Sequence, residues 1–278
     1  MIISCVADKN YLRFLKPLVR SVNANSPNCS IFCWLINCSE DDEKELKSIH
    51  SDIEVHHDHC DLSQKRQMLS RDGVLLNEYI KQGTEAPLLS GGAKWLTSPY
   101  MGYCTNIRFK VITEMLKRSE PTFFLDADAI VRKDISDFVV NTGDISVRVI
   151  KHERYDGVTT PQRPLSDPGN TQYQMGVIYA NPSSIRFFET CHKLCFEAQE
   201  DWDSNIVAFK DALKIHNTLN IIPLPHTYKD EGINTSTTFH SEYSFSMESH
   251  IWSGPGRRKF VNKQYVDEYL KYTRHSIN

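Results

Sequence analysis

The chain has 278 residues, 40% hydrophobic and 24% charged, with a formal net charge of −3. No overall field draws it to nucleic acid or to an anionic membrane, and no run approaches the roughly 20 apolar residues of a membrane-spanning helix. Met1 leads straight into a strand, without the basic and apolar regions of a secretory signal, so a cytoplasmic protein is expected.

Strands and helices alternate through the first third. Ile2 to Val6 is a continuous apolar strand, followed by helical spacing from Tyr11 to Asn25 through Leu12, Leu15, Val19 and Val22. Pro17 is placed in the first turn of the main helix, where proline is tolerated. Ile31 to Ile36 is a second buried strand; Ser39 then caps an acidic first turn, Glu40 to Glu43, of a helix ending near His50. Ile53 to His56 is a third strand, and this alternation predicts a mostly parallel sheet. Gly83 to Pro99 reads as a loop, and Gly102 to Lys117 as one long helix. The strand Thr122 to Leu125 follows, then a polar, proline-rich stretch from Val147 to Asn170. Gln174 to Ala180 is a strand, with helices expected over 182–199 and 203–213 and a late strand at Ile221 and Ile222. His226 to Gly256 is rich in Ser, Thr and His and is expected to wrap the site; a last amphipathic helix covers Asn262 to Arg274, whose Tyr265, Tyr269 and Tyr272 read as core packing rather than a membrane anchor. One domain is expected over 1–278, with a nucleotide-binding half, 1–131, and a sugar- and acceptor-binding half, 132–278.

The eight cysteines have no CxxC spacing and read as reduced, mostly buried thiols; a zinc site at His56, His57, His59 and Cys60 is the weaker reading, since no second ligand pair lies at a customary spacing. The chemistry gathers elsewhere. Asp126 and Asp128 flank Ala127 at the end of a buried strand, where extended residues i and i+2 share a side and two carboxylates can meet one hard divalent cation. In parallel sheets ligands lie at the carboxyl ends of the strands, where the first strand presents Ala7, Asp8, Lys9, Asn10 and Tyr11. Asp8 and Asn10 can hydrogen-bond a base edge and Tyr11 can stack on it; there is no glycine-rich phosphate loop. His250 supplies a third metal ligand, with His240 as its competitor, while Gly254 and Gly256 allow close backbone approach and Arg257, Arg258 and Lys259 offer cations to phosphate.

These segments resemble, in order, the GT-A glycosyltransferases of family 8, the retaining galactosyl- and glucosyltransferases related to glycogenin. Val6 to Tyr11 resembles the strand end that holds uracil, and Asn106 to Lys110 the helix whose arginine, here Arg108, reaches the nucleotide. Phe124 to Val131 resembles the Asp-x-Asp metal motif, Gln174 to Asn181 the strand that meets the donor sugar, and His250 to Lys259 the closing metal- and phosphate-binding motif. Gln174 and Met175 replace the usual Phe-Asn-Ala, Asp201-Trp202-Asp203 stands for Asp-Gln-Asp, and the closing motif has one extra residue between His250 and Gly254. The resemblance implies an α/β GT-A fold with a mixed, mostly parallel sheet, and UDP-sugar as donor with Mn²⁺ or Mg²⁺. It implies that Asp203, Asp201 and Gln174 act at the sugar; that Ala7, Asp8, Asn10, Tyr11, Arg108, Asp126, Ala127, Asp128, Gly254 and Lys259 hold the nucleotide; and that Asp126, Asp128 and His250 hold the metal. The expected activity is transfer of a hexose to an acceptor hydroxyl with retention, and a catalytically silent sugar-nucleotide or partner binder on the same scaffold is the alternative. Glycan, protein, lipid-linked sugar and modified nucleobase all remain open as acceptors.

Overall fold

A computed structural model describes residues 1–69, 75–79, 94–95, 98–138, 143–151, 171–197, 204–230, 245–253 and 262–273. Its strands are β1 (Ile2–Asp8), β2 (Ser30–Ile36), β3 (Ile53–Asp58), β4 (Arg66–Leu69), β5 (Leu75–Tyr79), β6 (Lys94–Trp95), β7 (Thr122–Leu125), β8 (Ile130–Val131), β9 (Ile145–Lys151), β10 (Thr171–Ala180), β11 (Ile221–Pro223) and β12 (Ile251–Trp252). The helices are α1 (Leu12–Asn25), α2 (Glu40–Ile49), α3 (Pro99–Asn106), α4 (Arg108–Leu116), α5 (Ile185–Glu197), α6 (Ser204–Ile215) and α7 (Lys263–Thr273). Seven strands form the main sheet in the order β11-β9-β10-β7-β1-β2-β3, in which β10 alone runs against the others.

Alternate residues of the sheet feed the cores on its two faces. Ile3, Cys5 and Ala7 of β1 and Phe123 and Leu125 of β7 pack with Leu12, Leu15, Leu18 and Val22 of α1. On the other face Phe124 joins Phe109, Phe187, Phe188 and Phe209, while Ile2 and Trp34 join Tyr100, Ile107 and Val111. Both faces of the central strands are therefore covered, which is why their sequences are unbroken apolar runs. Ser39 caps α2 in a reciprocal box with Asp42. All eight cysteines are free, and burial pushes the Cys195 thiol up to about 12 against the nearby Arg108 charge, so it stays protonated at neutral pH. Among the described residues no helix is long and apolar enough to cross a membrane.

Three expectations are corrected. Pro17 lies inside α1, which starts at Leu12. An interior proline has no N–H for the carbonyl four residues back, that of Arg13. The Tyr269 hydroxyl of α7 donates to that carbonyl at 2.8 Å. Tyr269→Phe should therefore lower unfolding stability by about 1 kcal/mol, read by denaturant titration, with no change in ligand binding. The long helix at 102–117 is two helices that meet at Ile107; Pro99 starts the first one earlier, and Arg108 Nε donates to the Thr105 carbonyl at 2.7 Å at the junction, where a side chain entering the backbone ladder breaks a helix in two. The polar stretch expected to begin at Val147 starts instead with a strand, β9, while residues 152–170 lie outside the described residues.

Candidate active site

From β1 the chain moves outward to β2 and β3, then returns to place β7 on the other side of β1. Such a reversal opens a crevice at the carboxyl ends of the two strands. Asp8 stands at one lip and Asp126 at the other.

Asp8 is buried, and its carboxylate accepts from the Tyr11 backbone N–H at 3.0 Å, Asn10 Nδ2 at 3.4 Å and the Tyr100 hydroxyl at 3.2 Å. It thus fixes the turn that leads into α1 and ties α3 to the end of β1. Burial, then the nearby Cys104 and Asp8 charges, raise the Tyr100 pKa, so the hydroxyl remains a donor. Ala7 is buried in the core, whereas Asn10 is exposed. Tyr11 is 45% exposed, with its ring edge-on to Phe14 at 5.5 Å.

The Asp-x-Asp segment is a turn rather than the end of an extended strand: the Ala129 N–H bonds to the Asp126 carbonyl at 2.9 Å. The alternation argument for convergence of Asp126 and Asp128 therefore does not apply. Both side chains are half-buried and Ala127 between them is buried. From α7 the Tyr265 hydroxyl donates to the Asp128 carbonyl at 2.5 Å; its burial, and next the Asp128 charge, raise its pKa and keep it a donor. Arg108 does not stand free for a ligand. Its Nη1 donates to the Met175 carbonyl at 2.7 Å and lies 3.4 Å from Asp126 Oδ1, and its guanidinium rests 5.4 Å over Phe124. Within the described residues, then, Arg108 fastens the turn to β10.

That part of β10 is irregular. Gln174 pairs with Arg148 of β9 and Ile178 with Val147, so Met175, Gly176 and Val177 bulge out of that ladder. The bulge turns the Met175 carbonyl to Arg108 and the Gly176 carbonyl to the Asp126 N–H, at 2.8 Å. A Cβ on Gly176 would lie 2.7 Å from Asp126 Oδ2 and 3.4 Å from both Lys229 Cε and Ser253 Oγ. Lys229 is only 4% exposed, and its Nζ donates to Gln174 Oε1 at 2.8 Å. The segment expected to wrap the site does reach it, through Lys229 and Ser253. Neither residue was singled out by sequence, although a glycine inside a strand signals a bulge or a close approach.

His250 is not brought to the aspartates. Its ring stacks on Tyr228 at 4.4 Å and 8°, and burial followed by the Lys133 charge lowers its pKa, against Asp134 and Glu248. β12 pairs Trp252 with Ile130, and Ser253, at odd spacing from His250, is the residue that meets Gly176. Among the described residues no three His, Cys, Asp or Glu side chains gather as a metal set. His56 stacks on Trp34 at 3.8 Å, while His57 reaches Glu43 at 2.6 Å. The remaining expected residues, Asp201, Asp203, His240, Gly254 and Lys259, lie outside the described residues. Two carboxylates on one turn still fit a hard divalent cation that completes its shell from phosphate and water.

No protein-family model matches the chain, and no curated protein sequence does. Solved structures do. An active-site mutant of LgtC is 13% identical with a TM-score of 0.57, over 98% of this chain and 96% of that one. Galactosyltransferase LgtC in complex with donor and acceptor sugar analogues gives 13%, a TM-score of 0.55, and 98% and 95% coverage. Glycosyltransferase GlyE of Streptococcus pneumoniae gives 10% and a TM-score of 0.54, over 98% of this chain and 59% of that one. The chain has the α/β fold of the GT-A glycosyltransferases, with the mixed, mostly parallel sheet that the family-8 resemblance implies.

Proposed function

We propose that the protein is a glycosyltransferase that moves a hexose from a UDP-sugar to an acceptor hydroxyl, with retention, and that Asp126 and Asp128 hold Mn²⁺ or Mg²⁺ at the diphosphate. The observation that supports this most is the placement of Asp8 and Asp126 on opposite lips of the switch-point crevice, within a fold shared with LgtC. In this reading the base lies by Asp8, Asn10 and Tyr11, and the diphosphate crosses to the Asp126 turn. When bound, the cation acts as a Lewis acid on the leaving UDP. Arg108 keeps the Asp126 carboxylate in place through its hold on β10, and Tyr265 does the same for the Asp128 carbonyl. Gln174 faces the donor sugar; Asp201 and Asp203 position the sugar or acceptor, and Gly254 and Lys259 bind the phosphates. The acceptor oxygen bonds to the sugar's anomeric carbon on the side from which UDP leaves, as the bond from that carbon to the phosphate oxygen breaks, and the leaving phosphate takes the hydroxyl proton.

The test is UDP release from a panel of UDP-sugars, with and without Mn²⁺, for the wild type and Asp128→Ala. Metal-dependent release lost in the variant supports the transferase. Binding of UDP without turnover, even with an acceptor library, would make the protein a silent sugar-nucleotide binder, and no nucleotide binding would end both readings. Tyr11 gives a further check. Base-aromatic stacking contributes about 1–3 kcal/mol, so Tyr11→Ala should weaken UDP binding by roughly tenfold or more in a calorimetric titration. Its exposure means that thermal stability should hardly move.

A further inference from the structure

Lys229 is a buried cation that the reading above does not use. An ammonium group is costly to remove from water unless it is paired or hydrogen-bonded. Here Nζ donates to Gln174 Oε1, and Cε lies 3.4 Å from the same Cβ point on Gly176 that Asp126 Oδ2 approaches to 2.7 Å. The lysine side chain is thus set against the β10 bulge, at the glycine that the Asp126 carboxylate also approaches.

The chain around it is built to keep it there. Asp230, next in sequence, is fully buried, and its Oδ2 accepts from the Ser246 N–H and the Ser249 hydroxyl, both at 2.7 Å. Its backbone N–H donates to the Ile251 carbonyl at 3.0 Å, and its carbonyl accepts from the Ser253 N–H at 2.8 Å. Lys229 therefore rides on a segment locked to β12, beside the Ser253 that also faces Gly176. The lysine stem thus borders the same point on Gly176 as the Asp126 carboxylate and the Ser253 hydroxyl.

We propose that Lys229 binds the diphosphate of the nucleotide. This rests on the nucleotide-sugar reading. The ligand chemistry is a phosphate oxygen, met by an ammonium as a charge-assisted hydrogen bond. Gln174 holds the ammonium at rest, and the phosphate shares or replaces that contact on binding.

The experiment compares UDP with uridine by isothermal titration, for the wild type, Lys229→Met and Lys229→Arg. Methionine keeps the stem's volume and removes the charge, a change that buried sites often tolerate; melting curves check the fold. The wild type is expected to bind UDP more tightly than uridine. Lys229→Met should weaken UDP by roughly 10- to 100-fold and leave uridine within about twofold, and Lys229→Arg should recover most of the loss. If Lys229→Met weakens both ligands alike, or neither, or if Lys229→Arg recovers none of the loss, Lys229 is a packing residue and the proposal is wrong. If the wild type binds neither ligand, the nucleotide-sugar reading itself fails, an outcome distinct from loss in the variant alone.

Discussion

Asp126→Asn should lower sugar transfer by on the order of 10³-fold, about 4 kcal/mol of transition-state stabilisation, and leave the protein folded. The asparagine keeps the shape that fits against Gly176, and the backbone bond from residue 126 to the Gly176 carbonyl does not involve the side chain. What it loses is charge, and with it a hard ligand for the divalent cation. The ion pair with Arg108 is also lost, yet at 3.4 Å, with Asp126 39% exposed, that pair contributes little to stability. Arg108 retains its bonds to the Thr105 and Met175 carbonyls. Steady-state turnover at saturating Mn²⁺, together with a melting curve, checks this. Activity and melting temperature falling together would show that Asp126 is only structural.

Gly176→Ala should be nearly as damaging, by a different route. The new methyl group would sit 2.7 Å from Asp126 Oδ2, closer than real carbon–oxygen contacts, with Lys229 and Ser253 at 3.4 Å on its other sides. Asp126 is anchored by its own backbone N–H to Gly176, so it cannot retreat far. The carboxylate must rotate out of place, and a displacement of about 1 Å at a reacting centre can cost on the order of 10²-fold in rate. Overpacking should cost about 1–3 kcal/mol of stability. A fall in kcat of at least that order is expected, read in the same transfer assay, with UDP affinity weakened as well. Wild-type kcat in Gly176→Ala would show that the bulge has no part in the reaction.

What was legible in the sequence is local. The runs Ile2 to Val6, Ile31 to Ile36 and Thr122 to Leu125 are apolar on both faces because both faces of the sheet are covered, and Ser39 carries its cap within three residues. Asp8 and Asp126 fall at the crevice because each ends such a run. What was missed depends on distant pairing. Pro17 is tolerated inside α1 because a tyrosine some 250 residues away serves the freed carbonyl. The Met175 to Val177 bulge exists only relative to β9, and the role of Arg108 becomes visible only once β10 lies beside β7. Which way the side chains near His250 face depends on the long-range pairing of β12 with β8, since a shift of one residue along a strand reverses the side on which every side chain lies. Lys229 carries no motif; only its burial beside Asp126 marks it.

The central claim is that one crevice, from Asp8 to Asp126, holds a nucleoside diphosphate. A crystal structure of the protein with UDP and Mn²⁺ tests it most directly. The account predicts the uracil beside Asp8 and Tyr11, with the diphosphate between the Asp126–Asp128 turn and Lys229. UDP bound elsewhere, for example in the apolar pocket lined by Leu62, Tyr103, Asn106 and Phe196, with the crevice unchanged, would contradict it.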